Sequence, residues 1–132
     1  VGAALASTSY AFGTMKKLGI HMSFGTDSPI EDMNPIDNLY CAVTRRRLDG
    51  QPEGGWHPEE CVDIYDAVDA YTAESAYAEF EEGVKGRLKP GFYADLVVLS
   101  KNIFEMDPLE LRTTKIDATM VDGKFVFERA GA

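Results

Sequence analysis

Positive charge is in short supply. Thirteen lysines and arginines stand against 22 aspartates and glutamates, a formal net charge of −9. Nucleic acids and anionic membranes attract a positive surface, so this balance argues against both as partners. Cysteine is equally scarce. Cys41 and Cys61 make at most one pair, which is no disulfide framework, so two free thiols are expected. A cytoplasmic location is the expectation that goes with them. No run approaches the roughly 20 apolar residues of a membrane span. The opening VGAALASTSYAF has neither an initiator Met nor a charged n-region ahead of an apolar core. It therefore reads as a truncated piece of a longer chain. The 45% of hydrophobic residues is enough for a core, and 132 residues suffice for one ordinary domain or two small ones.

Helix signals dominate the first half. STSYAFGTMKKLG places Ser and Thr before Phe12, Met15 and Leu18, with two lysines in the last turn and Gly19 as a left-handed stop. This predicts a helix over about residues 9–18. In NPIDNLYCAVTRRR, Asn34 is the N-cap, Pro35 the first helical residue, and Ile36, Leu39, Tyr40 and Val43 form one stripe. Arg45, Arg46 and Arg47 end it, and cations at a helix C-terminus have a structural reason in the dipole. The Gly- and Pro-rich LDGQPEGGWHPEE is a loop, with Trp56 expected to anchor it on the core rather than to cover a pocket. Two short helices follow, capped by Asp63 and Thr72, and Glu79, Glu81 and Glu82 form a solvated end.

From about residue 83 the signals become β-like. Lys89-Pro90-Gly91-Phe92 suits a type II turn. Leu96–Leu99 reads as a strand covered on both faces. KNIFEMDPLELRTTK is a linker, and Asp122-Gly123 predicts a type I′ hairpin between two β-rich runs.

The stretch IHMSFGTD lies between the first two helices. Ile20, Met22 and Phe24 share one parity, while His21, Ser23, Gly25 and Asp27 share the other, so a strand here has one bulky and one small or polar face. In an antiparallel sheet the polar face meets water. In a β/α barrel it lines the interior. Helix–strand–helix, further helices and then a small β tail suit the end of a barrel followed by a β module. That choice turns Asp27 from a turn former into a carboxylate at the C-terminal end of a barrel strand, where such folds keep their chemistry.

Three stretches carry a family resemblance: GIHMSFGTDSPIEDMNPIDNLYCAVTRR, AVDAYTAESAYAEFEEGVKGRLKPGFYADLVVLSKN and IDATMVDGKFVFER. In order, over essentially the whole chain, they resemble the C-terminal portion of metal-dependent amidohydrolases. The likeness is to the YtcJ-like group that includes N-substituted formamide deformylases. The resemblance implies an α/β fold: the C-terminal part of a TIM-like (β/α)8 barrel plus part of a small β-sandwich, a composite domain. Residues 1–82 are then the last barrel strand and its helices, and residues 83–132 the C-terminal part of the sandwich.

It also implies a hydrolase of carbon–nitrogen bonds other than peptide bonds, acting on a small amide-like molecule. Asp27 matches the family's strand-end aspartate, a metal ligand and the general base toward a metal-bound water. The implied cofactor is a divalent metal, zinc, in the full-length enzyme. The family's remaining ligands, an HxH pair, a Lys or Glu and later histidines, have no counterpart here. His21 lies six residues from Asp27, roughly 20 Å along a strand, and His57 lies in a loop. Both are expected to be structural or solvated. The expectation is that this chain alone binds no metal and is inactive. Its unpaired strand edges invite self-association. The rival readings are a non-catalytic binding or assembly module derived from the same fold, and a piece that complements a separate chain.

Overall fold

The computed structural model describes residues 2–131. Its elements run α1 (Ala3–Ala6), α2 (Phe12–Lys17), α3 (Pro35–Thr44), α4 (Ile64–Tyr71), α5 (Ala73–Ala78), β1 (Leu96–Leu99), β2 (Ile116–Val121) and β3 (Lys124–Glu128). Short 3-10 helices occupy Pro58–Glu60 and Pro108–Thr113. The α and β content agrees with an α/β class. No helix among the described residues is long and apolar enough to cross a membrane.

Local chemistry explains most boundaries. The Asn34 side chain accepts the Ile36 amide at 3.1 Å, and Pro35 opens α3. The Asp63 carboxylate accepts the Asp66 amide at 2.8 Å and opens α4. Thr72 precedes α5 without a side-chain cap, because its hydroxyl donates to the Val68 carbonyl instead. At residues 89–92 the Phe92 amide closes the expected turn on Lys89 at 3.0 Å. Asp122 and Gly123 hold φ of 49° and 74°, the pair of left-handed residues that a type I′ hairpin needs. The hairpin joins β2 to β3, and β1 pairs with β2, both antiparallel, in the order β1-β2-β3.

The core forms where the α3 stripe meets the segment expected to be a mere linker. Ile36, Leu39 and Tyr40 of α3 pack with Val62, Ala67, Ile103 and Leu111. Leu111, only 1% exposed, sits on the 3-10 helix Pro108–Thr113. Burying such a side chain contributes about 1.5–3 kcal/mol. The Arg112 guanidinium reaches back to Asp37 at 2.8 Å and to the Leu48 carbonyl at 2.7 Å. The linker is thus the second wall of the core. β1 departs from expectation in the other direction. Val97 and Val98 are 51% and 43% exposed, because no second layer covers the sheet among the described residues.

Two polar contacts across long sequence separations hold the N-terminal helices in place. The helix predicted over residues 9–18 starts only at Phe12, and its N-cap, Ala11, offers no side-chain acceptor. Glu60 supplies one, accepting the Thr14 amide at 2.7 Å and the Thr14 hydroxyl at 2.6 Å. Gly13 permits the approach: a Cβ there would lie 2.9 Å from the Glu59 carbonyl oxygen and 3.0 Å from the Glu60 Cα.

The second contact is Arg45, which closes α3 in a left-handed conformation and is only 8% exposed. Its guanidinium donates to the carbonyls of Trp56 at 3.0 Å, Tyr10 at 2.8 Å and Ser9 at 3.4 Å, and its Cζ lies 4.9 Å from the Trp56 ring centroid. Arg45 therefore does more than compensate a helix dipole: it ties down the loop at Trp56, whose ring lies on the guanidinium and stays 37% exposed rather than entering the core as expected.

Replacing Arg45 by Met leaves these part-buried carbonyls without their donor. Chemical denaturation is expected to record a loss of about 2–4 kcal/mol, against less than about 0.5 kcal/mol for the exposed Arg47→Ala. Glu60 adds a pH dependence. The Thr14 hydroxyl and amide hold its carboxyl below the usual range. The stability it lends is complete above the ordinary glutamate value of about 4.3 and is lost as pH falls through the lowered folded value. The stability difference between wild type and Glu60→Gln in urea is expected to stay constant between about pH 7 and pH 5 and to shrink below about pH 4.

Candidate functional site

Residues 20–26 run without helix or turn, and burial alternates over 21–26, while Ile20, expected on the bulky face, is 45% exposed. Met22, Phe24 and Thr26 are half-buried, while His21, Ser23 and Gly25 are exposed. Met22 and Phe24 lie against the core, and Phe24 meets the rings of Phe12 at 5.0 Å and Tyr71 at 6.1 Å. The two-faced pattern expected of IHMSFGTD is therefore present over 21–26. A strand ladder is not, because no strand lies beside this segment among the described residues. Its backbone is tied to helices instead: the Phe24 amide donates to the Ala70 carbonyl at 3.0 Å, at the end of α4.

Asp27 follows at the end of this segment, exposed, with φ of 52°. The left-handed conformation, which Asp tolerates better than most residues, turns the chain sharply. The Ile30 amide closes that turn on the Asp27 carbonyl at 2.9 Å. Beyond it the Asp32 carboxylate accepts the Asn34 amide at 2.8 Å, leading into α3. The Asp27 carboxylate enters no ion pair among the described residues.

The histidines are engaged elsewhere. His21 lies at the other end of the segment, with Nδ1 2.5 Å from the Glu74 carboxylate and its ring stacked on Tyr77 at 4.1 Å. His57 pairs with Glu59 at 2.9 Å and stands edge-on to Trp56. Both have structural partners. Two shallow hollows, of about 250 and 210 Å³, share His21 and Glu74, and Asp27 lines neither. They mark the opposite end of the segment from the carboxylate.

No group of three or more His, Cys, Asp or Glu side chains is placed to hold a metal among the described residues. One carboxylate falls short of the three or four protein ligands that zinc takes, so these residues do not fit a complete metal site. Cys41 and Cys61 are half-buried and unpaired. Burial pushes both thiols up, which keeps them protonated and poor as nucleophiles.

The structure brings two further side chains to the Asp27 end of the segment. Asn38, on the second turn of α3, donates to the Gly25 carbonyl at 3.1 Å and to the Tyr71 hydroxyl oxygen at 2.8 Å. Burial raises the Tyr71 phenol, opposed by the bond from Asn38, so it stays neutral at ordinary pH. Neither residue stands out in the sequence. Asn38 falls off the apolar stripe of α3, and Tyr71 reads simply as the end of an apolar row with Ile64 and Val68 at i, i+4, i+7. A polar amide in mid-helix, where Asn is a weak helix former, is the one signal that could have found the first.

Comparison with known proteins identifies the family. The profile of the amidohydrolase family matches residues 1–127. The chain is 32% identical over 123 residues to the putative amidohydrolase YtcJ of Bacillus subtilis, covering 93% of this chain and 23% of that protein. It is 31% identical over 119 residues to the protein LONG AFTER FAR-RED 3 of Arabidopsis thaliana, covering 90% and 20%. It is 29% identical over 119 residues to the N-substituted formamide deformylase of Arthrobacter pascens, covering 90% and 21%. The chain thus spans between a fifth and a quarter of the length of these relatives. A match over nearly every residue, in unbroken order, makes this chain a member of the amidohydrolase family.

Proposed function

We propose that this chain is the C-terminal part of an enzyme that hydrolyses carbon–nitrogen bonds other than peptide bonds in a small amide-like substrate. Residues 1–82 contribute the last strand and helices of a TIM-like barrel, and residues 83–132 the C-terminal part of a β-sandwich. The observation that carries the reading is the place of Asp27: an exposed carboxylate at the end of a two-faced extended segment, clear of any ion pair among the described residues. In a barrel that end is where the chemistry is kept.

The step assigned to Asp27 is proton transfer. Its carboxylate takes a proton from the water whose oxygen attacks the amide carbonyl carbon. As the carbon–nitrogen bond breaks, the same carboxyl returns that proton to the leaving nitrogen, giving an acid and an amine. In the full-length protein Asp27 is also, in this reading, one ligand of a divalent metal, zinc. The other ligands would come from outside these residues.

The chain by itself is then silent, holding one catalytic group and an incomplete site. A non-catalytic binding or assembly module is the alternative, favoured by the apolar side chains that β1 and β3 leave exposed. The same exposed sheet edge is the surface through which copies of the isolated chain would associate.

In the longer protein, with an N-substituted formamide as probe, Asp27→Asn is expected to lower turnover by about 10²–10⁴-fold. Turnover at the wild-type rate would overturn the role given to Asp27, and a wild-type protein without turnover would favour the binding module. For the chain alone, exposure to zinc followed by gel filtration and mass spectrometry is expected to leave fewer than about 0.1 zinc ions per chain. One tightly held ion, lost in Asp27→Ala, would contradict the incomplete site.

A further inference from the structure

The segment that presents Asp27 has no sheet ladder among the described residues, so something else must fix its far end. We propose that Asn38 is the positioning residue for Asp27, an inference that rests on the catalytic reading of Asp27 above. Its amide nitrogen carries two hydrogens, and two oxygens face it: the Gly25 carbonyl at 3.1 Å and the Tyr71 hydroxyl at 2.8 Å. One hydrogen bond holds the backbone two residues before Asp27. The other ties the same amide to the last residue of α4.

The clamp is rigid on both sides. Asn38 rides on α3 between the buried Ile36 and the buried Leu39 and Tyr40. Its neighbour Asp37 is held by Arg112 at 2.8 Å. On the other side, the Tyr71 ring stands edge-on to Phe24, and the Phe24 amide donates to the Ala70 carbonyl at 3.0 Å. Phe24 and Gly25 are therefore gripped from α4 and α3 together. Past Gly25, the backbone bond nearest Asp27 is its own turn, from the Ile30 amide at 2.9 Å. Among the described residues, Asn38 makes the last tertiary hydrogen bond before the carboxylate.

This role accounts for the residue type. Aspartate would fill the same space but offer no donor, and leucine would offer neither donor nor acceptor. The geometry of a reacting group is sensitive to such an anchor, since a displacement of about 1 Å can lower a rate by about 100-fold.

Asn38→Asp tests the proposal, with Asn38→Leu as a control for the added charge. Aspartate in the first half of a helix agrees with the dipole, so α3 is expected to remain folded. In this chain, hydrogen exchange at the Phe24 amide is expected to quicken by about fivefold to tenfold in both variants, as for one lost hydrogen bond. Relaxation at Thr26 and Asp27 is expected to report greater motion, with exchange in β1 and β2 unchanged. Tyr71→Phe, which keeps the bond to Gly25, is expected to give a smaller change.

In the longer protein, Asn38→Asp is expected to lower kcat on an N-substituted formamide by about tenfold or more while KM stays within about twofold. Unaltered exchange and kcat in both Asn38 variants, with Asp27→Asn inactive, would overturn the positioning role alone. Full turnover in Asp27→Asn would overturn the catalytic reading and this inference with it, whatever the exchange data read.

Discussion

One buried guanidinium organises the N-terminal half of this molecule. Arg45 faces backbone carbonyls rather than a carboxylate, and those carbonyls come from two distant segments, Ser9–Tyr10 and Trp56. An arginine fork can satisfy several such oxygens at once because its donors lie in one plane at fixed spacing. The left-handed turn at Arg45 stops α3 and sends the chain away, while the side chain reaches back to collect what precedes and follows it. α3 is thereby joined to the segment before α2 and to the loop after itself. Its stripe then meets Ile103 and Leu111 from the C-terminal half, so one helix sits at the centre of both halves.

The candidate site depends on that helix too. α3 follows the Asp27 turn directly, and Asn38 projects from it to the segment that carries the carboxylate. One helix thus packs the core with one face and holds the backbone at Gly25 with another. Ile36, Leu39 and Tyr40 point into the core and Asn38 toward Gly25. Asp27 ends the two-faced segment clear of any ion pair among the described residues, while both histidines are engaged in other pairs.

How much could be read from the sequence follows from how local each signal is. The caps at Asn34 and Asp63, the turn at Pro90-Gly91 and the hairpin at Asp122-Gly123 all close within four residues, and each is where its residue types place it. The alternation of residues 21–26 was legible for the same reason, and so was Asp27 as the residue that ends it. The contacts that needed distant partners were not. Glu60 caps α2 from 46 positions away, and Arg112 meets Asp37 across 75. The strand expected at residues 20–27 lacks a neighbour, and a ladder is a property of pairs. Leu111 was hidden in a segment whose Pro, Asp and Glu suggest a linker, although its apolar residues fall just where α3 needs a facing wall. Asn38 left only the faint signal of a weak helix former in mid-helix, because the partners that require it, Gly25 and Tyr71, lie in other segments.

Gly13 carries a consequence for how this sequence can change over time. Any side chain there would press on the backbone of Glu59 and Glu60, and no rotamer of a neighbour can relieve a clash with main chain. The position is therefore closed to the other amino acids so long as the Pro58–Glu60 turn stays where it is. Glu60, from that same turn, caps the helix whose first turn holds Gly13. Two stretches more than 40 residues apart are thus bound to drift together or not at all: relatives that lose the glycine are expected to have rebuilt the turn and lost the glutamate as well.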